Sequence, residues 1–169
     1  ANVALGNYAL DALTSGDDNV ALGHDAAGAT TTGGENIAIG RNALLTNTTG
    51  SSNVAVGRSA LYANTTASNI TAVGANSLKA NTTGAANTAV GTNALLAGTT
   101  AANNTALGNE ALRATTTGGN NTAIGMECGY ATTGTDNTGV GYGAMQVTSG
   151  LRNTAIGVRC MQGAVTGNN

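Results

Sequence analysis

Asn2-Val3-Ala4-Leu5-Gly6 returns as Asn19-Val20-Ala21-Leu22-Gly23, then as Asn36-Ile37-Ala38-Ile39-Gly40, and keeps returning. The closing glycines are Gly6, Gly23, Gly40, Gly57, Gly74, Gly91, Gly108, Gly125, Gly141 and Gly157: seven intervals of 17 residues, then two of 16. A fixed period in this range marks a solenoid or an array, in which each copy buries its apolar face only by stacking on its neighbours.

Aligned on the glycine, the copies separate into slots. The position four before it is Asn in nine copies, with Ile70 the exception. The next is Val3, Val20, Ile37 or Val54 early in the chain, and Thr from Thr71 onward. Then comes Ala, replaced once by Gly139, and last an aliphatic residue. β-Branched residues alternating with period two and closed by Gly read as a short strand. The second half of each copy runs Ala-Leu-x-Ala and then a hydroxyl pair, as in Ala43-Leu44-Leu45-Thr46 and Thr48-Thr49-Gly50. That segment is too short and too closely bounded by turn residues for a helix. A second strand or an extended turn is expected there. The slot after Leu holds Asp11, Gly28, Leu45, Tyr62, Lys79 or Arg113 without preference, so it should face solvent.

These slots predict an all-β fold: a parallel β-solenoid of ten coils with two short strands each, over a single array spanning 1–169 and closing at a repeat boundary at Asn169. Stacking at ~4.8 Å per coil makes a rod of roughly 50 Å. The aliphatic slot should be the core column: Leu5, Leu22, Ile39, Val56, Val73, Val90, Leu107, Ile124, Val140 and Ile156. The Asn slot has two readings, a ladder of stacked amides or a plain turn.

The alanines alternate with the aliphatics, so an inward aliphatic column sends Ala4, Ala21, Ala38, Ala55, Ala72, Ala89, Ala106, Ala123 and Ala155 outward. A solvent-facing slot should vary, yet this one stays small. Close packing against another chain, most simply in a parallel homotrimer with the alanines near the axis, is the expectation; recent duplication of one repeat is the alternative.

Composition bounds the function. Charged residues are 8%, against about 25% in a typical domain, and the net charge is −2. That gives no electrostatic footprint for nucleic acid. No apolar run reaches the ~20 residues of a membrane span, so this segment should not insert into a bilayer. With no atypical capping segment at either end, the array is expected to be part of a longer fibre or to stack end to end.

Asn36-Ile37-Ala38-Ile39-Gly40 and Asn121-Thr122-Ala123-Ile124-Gly125 are the clearest copies of a motif that resembles the head repeats of YadA-type trimeric autotransporter adhesins. The resemblance covers the whole chain. It implies a trimer of left-handed parallel β-rolls displayed outside the cell. Similar repeats occur in bacteriophage tail fibres and other surface fibres. Coils of that family are usually shorter, and the extra residues here fall in the Thr-Thr-Gly loop.

Catalytic chemistry finds little footing, and no cofactor or metal is expected. His24 stands alone in a variable position. Asp17, Asp18, Asp25 and Glu35 make at most a weak cation site. Cys128 and Cys160 share one slot two coils apart, about 9–10 Å, beyond disulfide reach. They read as small buried thiols or as a bridge between chains. Regular Thr pairs such as Thr48-Thr49 and Thr82-Thr83 admit an ice-binding array, but adjacent strand residues face opposite ways, and hydroxyl-to-backbone bonds fit better. The chain therefore reads as a non-enzymatic structural or adhesive module of an extracellular or virion fibre. Its expected partners are itself and a cell-surface glycan or protein receptor. Tyr62, Lys79, Arg113 and Tyr130 are the candidate contact residues.

Overall fold

In a computed structural model, which describes residues 1–164, 166 and 167, the chain is a parallel β-solenoid. Asn169 lies outside the described residues. Ten strands of three residues form one sheet: β1 (Val3–Leu5), β2 (Val20–Leu22), β3 (Ile37–Ile39), β4 (Val54–Val56), β5 (Thr71–Val73), β6 (Thr88–Val90), β7 (Thr105–Leu107), β8 (Thr122–Ile124), β10 (Thr138–Val140) and β12 (Thr154–Ile156). Every pairing is parallel and in register, Ala4 beside Ala21 and Ala106 beside Ala123.

A second strand in every coil is not found. Among the described residues it exists only in the two 16-residue coils, as β9 (Ala131–Thr132) paired with β11 (Val147–Thr148). In the 17-residue coils the same segment is turn. The backbone bonds between coils continue through that segment in the 17-residue coils too, as Leu44 N–H to Ala60 O (2.9 Å) and Thr46 N–H to Tyr62 O (3.1 Å), without a regular strand.

Left-handed residues make the corners. Leu44, Leu61 and Leu78 have φ of 53°, 52° and 49°, and Asn42, Ser59 and Asn76 two positions earlier have φ of 59°, 56° and 56°. A non-glycine residue in this region costs roughly 1–2 kcal/mol. The leucines offset that strain by complete burial. The strand ends on glycine for a stronger reason. Gly74 has φ +127°, and a Cβ there would lie 2.6 Å from the Gly91 carbonyl of the next coil.

Two amide ladders run along the rod. Asn36 donates its backbone N–H to Asn19 Oδ1 (3.0 Å) and its Nδ2 to Gly50 O (3.0 Å). Asn53 N–H donates in turn to Asn36 Oδ1 (3.1 Å), and the pattern resumes through Asn104, Asn121, Asn137 and Asn153. Of the two readings of the Asn slot, the structure has the ladder. Ile70 breaks it: its N–H donates to Asn53 Oδ1, but its own side chain offers Asn87 no acceptor. A second, shorter ladder links Asn47, Asn64 and Asn81. Gly98 follows in that slot, which leaves Asn81 Oδ1 without a partner.

The strand orientation is the reverse of the sequence expectation. Ala21, Ala38, Ala55, Ala72, Ala89, Ala106, Ala123 and Ala155 are 0% exposed, inside their own coil. Ala4 points the same way and is exposed because a coil adjoins it on one side only. The eight buried alanines are therefore not free to pack side by side against another chain. The aliphatic column expected in the core, Leu5, Leu22, Ile39, Val56, Val73, Val90, Leu107, Ile124, Val140 and Ile156, lies outside it, half-buried or exposed.

The reason is room. The interior is filled by three small-to-medium side chains per coil: the strand alanine, the alanine before the leucine, and the leucine. At Gly139 an added Cβ would sit 2.7 Å from Cys128 Sγ and 3.1 Å from Met145 Cε. Cys128 stands in the usual alanine slot and Met145 in the usual leucine slot, so Gly139 makes room for one larger side chain and for the longer reach of an unbranched one. An isoleucine at a strand-alanine position has nowhere to go.

Gly139→Ala should destabilise the protein by about 1–3 kcal/mol through overpacking. Adding Cys128→Ala should recover most of that loss in denaturant unfolding. Additive losses in the double variant would count against the shared space.

Candidate interaction face

The outer surface of the ten-stranded sheet carries two side-chain columns. The first is Val3, Val20, Ile37 and Val54, continued by Thr71, Thr88, Thr105, Thr122, Thr138 and Thr154. The second is the aliphatic column just described. Strand residues two apart share a face, so the buried alanines fix both columns outward. Ile39 is 37% exposed, Ile124 38% and Leu107 46%. No position in either column is charged. The face is regular and about 43 Å long at ~4.8 Å per coil. Its composition changes once, from doubly aliphatic rows in the first four coils to Thr-plus-aliphatic rows in the last six.

This is the feature that sequence reasoning missed. Period-two alternation fits either orientation, and the larger side chains were assigned inward on hydrophobicity alone. The usable signal was the switch to Thr at Thr71. A slot that tolerates Val, Ile and Thr is not the interior of a narrow coil, whereas a slot restricted to Ala and Gly is.

The contact candidates lie outside the core. Lys79 is exposed, while Tyr62, Arg113 and Tyr130 are half-buried. Arg113 and Tyr130 are brought together: the guanidinium lies 5.6 Å from the ring centroid, Nη1 donates to the tyrosine oxygen, and Nε is 3.8 Å from Glu110 Oε1. Arg159 lies 5.4 Å from the Tyr142 ring in the same manner. Tyr62 and Lys79 sit on successive coils, joined through backbone bonds.

The Thr pairs use their hydroxyls between coils. Thr31, Thr48, Thr65, Thr82 and Thr99 each donate Oγ1 to the carbonyl of the matching Thr one coil on, at 2.9–3.2 Å. These are hydroxyl-to-backbone bonds that bridge coils rather than close a local turn. The second Thr of each pair is exposed.

The acids stand apart. Among the described residues no three His, Cys, Asp or Glu side chains gather as a metal site. Glu35 accepts from Ser52 Oγ (2.9 Å), and exposed His24 pairs with Asp25 (2.7 Å). No described helix is long and apolar enough to cross a membrane. No protein-family model, curated protein or solved structure matches the chain.

Both cysteines are free. Cys128 is fully buried, and desolvation pushes its thiol pKa up; Cys160 is only half-buried. A raised pKa means less thiolate at any given pH, so burial and ionisation both slow attack. In the native protein a thiol reagent at pH 8 should label Cys160 and spare Cys128, with both labelled after unfolding. Equal native rates would contradict this placement.

Proposed function

We propose that the chain is a non-enzymatic structural and adhesive module of an extracellular fibre, in which copies pack side by side through the outer sheet face. A parallel trimer is the simplest closed form. The observation that supports this is an uncharged, largely aliphatic strip along one whole side of the rod, with no element covering it among the described residues.

Periodicity selects the partner. A surface that packs against this strip along its length must repeat at the same axial spacing, and a second copy does so. Polarity selects the direction. Parallel, in-register copies set aliphatic rows against aliphatic rows and Thr rows against Thr rows, where hydroxyls find one another. Antiparallel copies set Thr105 to Thr154 against Val3 to Val54, leave only Thr71 and Thr88 facing each other, and strand the other hydroxyls on apolar surface. Burying the strip gains about 25 cal/mol per Å² of apolar area.

With that face engaged, the variable slots remain outside. Tyr62, Lys79, Arg113 and Tyr130 then offer a repetitive surface to a cell-surface glycan or protein receptor. The parent is a bacterial surface adhesin or, equally well served by the same module, a virion tail fibre. End-to-end stacking extends the rod by the same backbone ladder that joins its coils.

A second reading rests on the Thr-plus-aliphatic rows from Thr71-Ala72-Val73 to Thr154-Ala155-Ile156. They form an array with hydroxyls and methyl groups in register, suited to ordering water and binding ice. It needs the face free, so the two readings exclude each other on one molecule.

Light scattering at micromolar concentration should give three times the chain mass of 16.3 kDa. Val73→Lys with Val90→Lys should yield a folded monomer. A monomeric unaltered protein would overturn the assembly, and thermal hysteresis from that monomer would favour the ice-binding reading.

A further inference from the structure

Away from the sheet face, a cleft of about 350 Å³ opens across the first three coils. Gly28 lies at its centre, in the outward slot that holds Asp11 one coil before and Leu45 one coil after. The backbone does not demand glycine there, because φ at Gly28 lies outside the left-handed region. What glycine provides is space. The flanking Asp11 and Leu45 are two coil spacings apart, about 9.6 Å; Leu45 Cδ1 leans into the gap, 3.4 Å from where a Cβ on Gly28 would stand, and the cleft is the space left beside it.

Tyr8 and Asp25 form one wall and Ala29 part of the other. The Tyr8 ring stands edge-on to His24, 5.8 Å between centroids, and His24 Nδ1 lies 2.7 Å from Asp25 Oδ2. Asp11 has no ion pair or side-chain hydrogen bond among the described residues. No Lys or Arg lines the cleft. Its charged groups are thus two carboxylates, set beside an aromatic ring and apolar Leu45 and Ala29.

We propose that this cleft binds an organic ammonium group, primary or quaternary, carried on a short apolar stem. The positive charge is attracted by Asp11, Asp25 and the negative face of the Tyr8 ring. The methyl or methylene groups take the space above Gly28. A neutral sugar fits less well, because carboxylates only accept hydrogen bonds and the lining supplies few donors. None of these residues belongs to the sheet face, so binding is independent of whether the chain is one copy or several.

The test is a titration of the whole chain with choline and, separately, with Nα-acetyl-lysine methylamide, followed by NMR amide shifts, with glucose as the neutral comparator. Saturable millimolar binding of either ammonium probe, seen at Asp11 and Gly28 and absent with glucose, is expected; the two probes separate quaternary from primary amines. Gly28→Leu repeats the residue of the next coil and should abolish the response. Asp11→Asn, at an exposed position that does not endanger folding, should weaken binding about fivefold, the value of one contact charge pair in water. No saturable response, an equal response to glucose, or undiminished binding in Gly28→Leu would overturn the proposal.

Discussion

The buried asparagine ladder is the constraint on which the rest depends. Each ladder Asn but the last, Asn153, receives the N–H of the next coil on Oδ1, and each donates Nδ2 to a corner carbonyl 13 or 14 residues on, as Asn104 does with Asn121 N–H and Gly118 O. One side chain thus ties three backbone segments. Every tie is inside the protein, where an unmade bond costs about 1–3 kcal/mol. The ladder therefore fixes the start of each strand and its register over the last. The in-register stacking of alanine on alanine accompanies it, and across the break at Ile70 the same register is kept by backbone bonds such as Thr71 N–H to Asn87 O (2.9 Å).

That register leaves a narrow interior. The strands and corners approach so closely that a strand alanine, a second small residue and at most one leucine or methionine per coil fill it. Left-handed leucines are tolerated because turning inward is the only way to bring a large apolar side chain into so small a section. The remaining aliphatic residues are displaced to the outer face. The proposed function grows from this displacement: a rod that cannot bury its own valines and isoleucines has a side that water disfavours. Thr replaces them along much of its length, which moderates the apolar character without adding charge.

The period, the solenoid, the role of glycine at the strand end and the solvent-facing slot of Lys79 and Arg113 were legible in the sequence. Each is a local rule repeated many times, so chance variation averages out. Orientation was not legible, because the alternation of Val20, Ala21 and Leu22 has two solutions and the choice depends on the width of the whole coil. Nor was the missing second strand, since one added residue per coil decides between turn and strand while the bonds between coils are kept. Compensation at Gly139 joins Cys128 and Met145 through space. The cleft at Gly28 likewise joins residues of three successive coils. Neither can be read until those coils are stacked.

The asparagine ladder makes a direct physical claim, that side-chain amides of a polar residue are sealed from water and bonded between coils. Hydrogen exchange of the Nδ2 protons by NMR tests it without regard to assembly on the sheet face. Asn104, Asn121 and Asn137 should exchange far more slowly than Asn103 at its exposed corner. Exchange of all four at one rate, that of a free amide, would contradict the ladder and the orientation that rests on it.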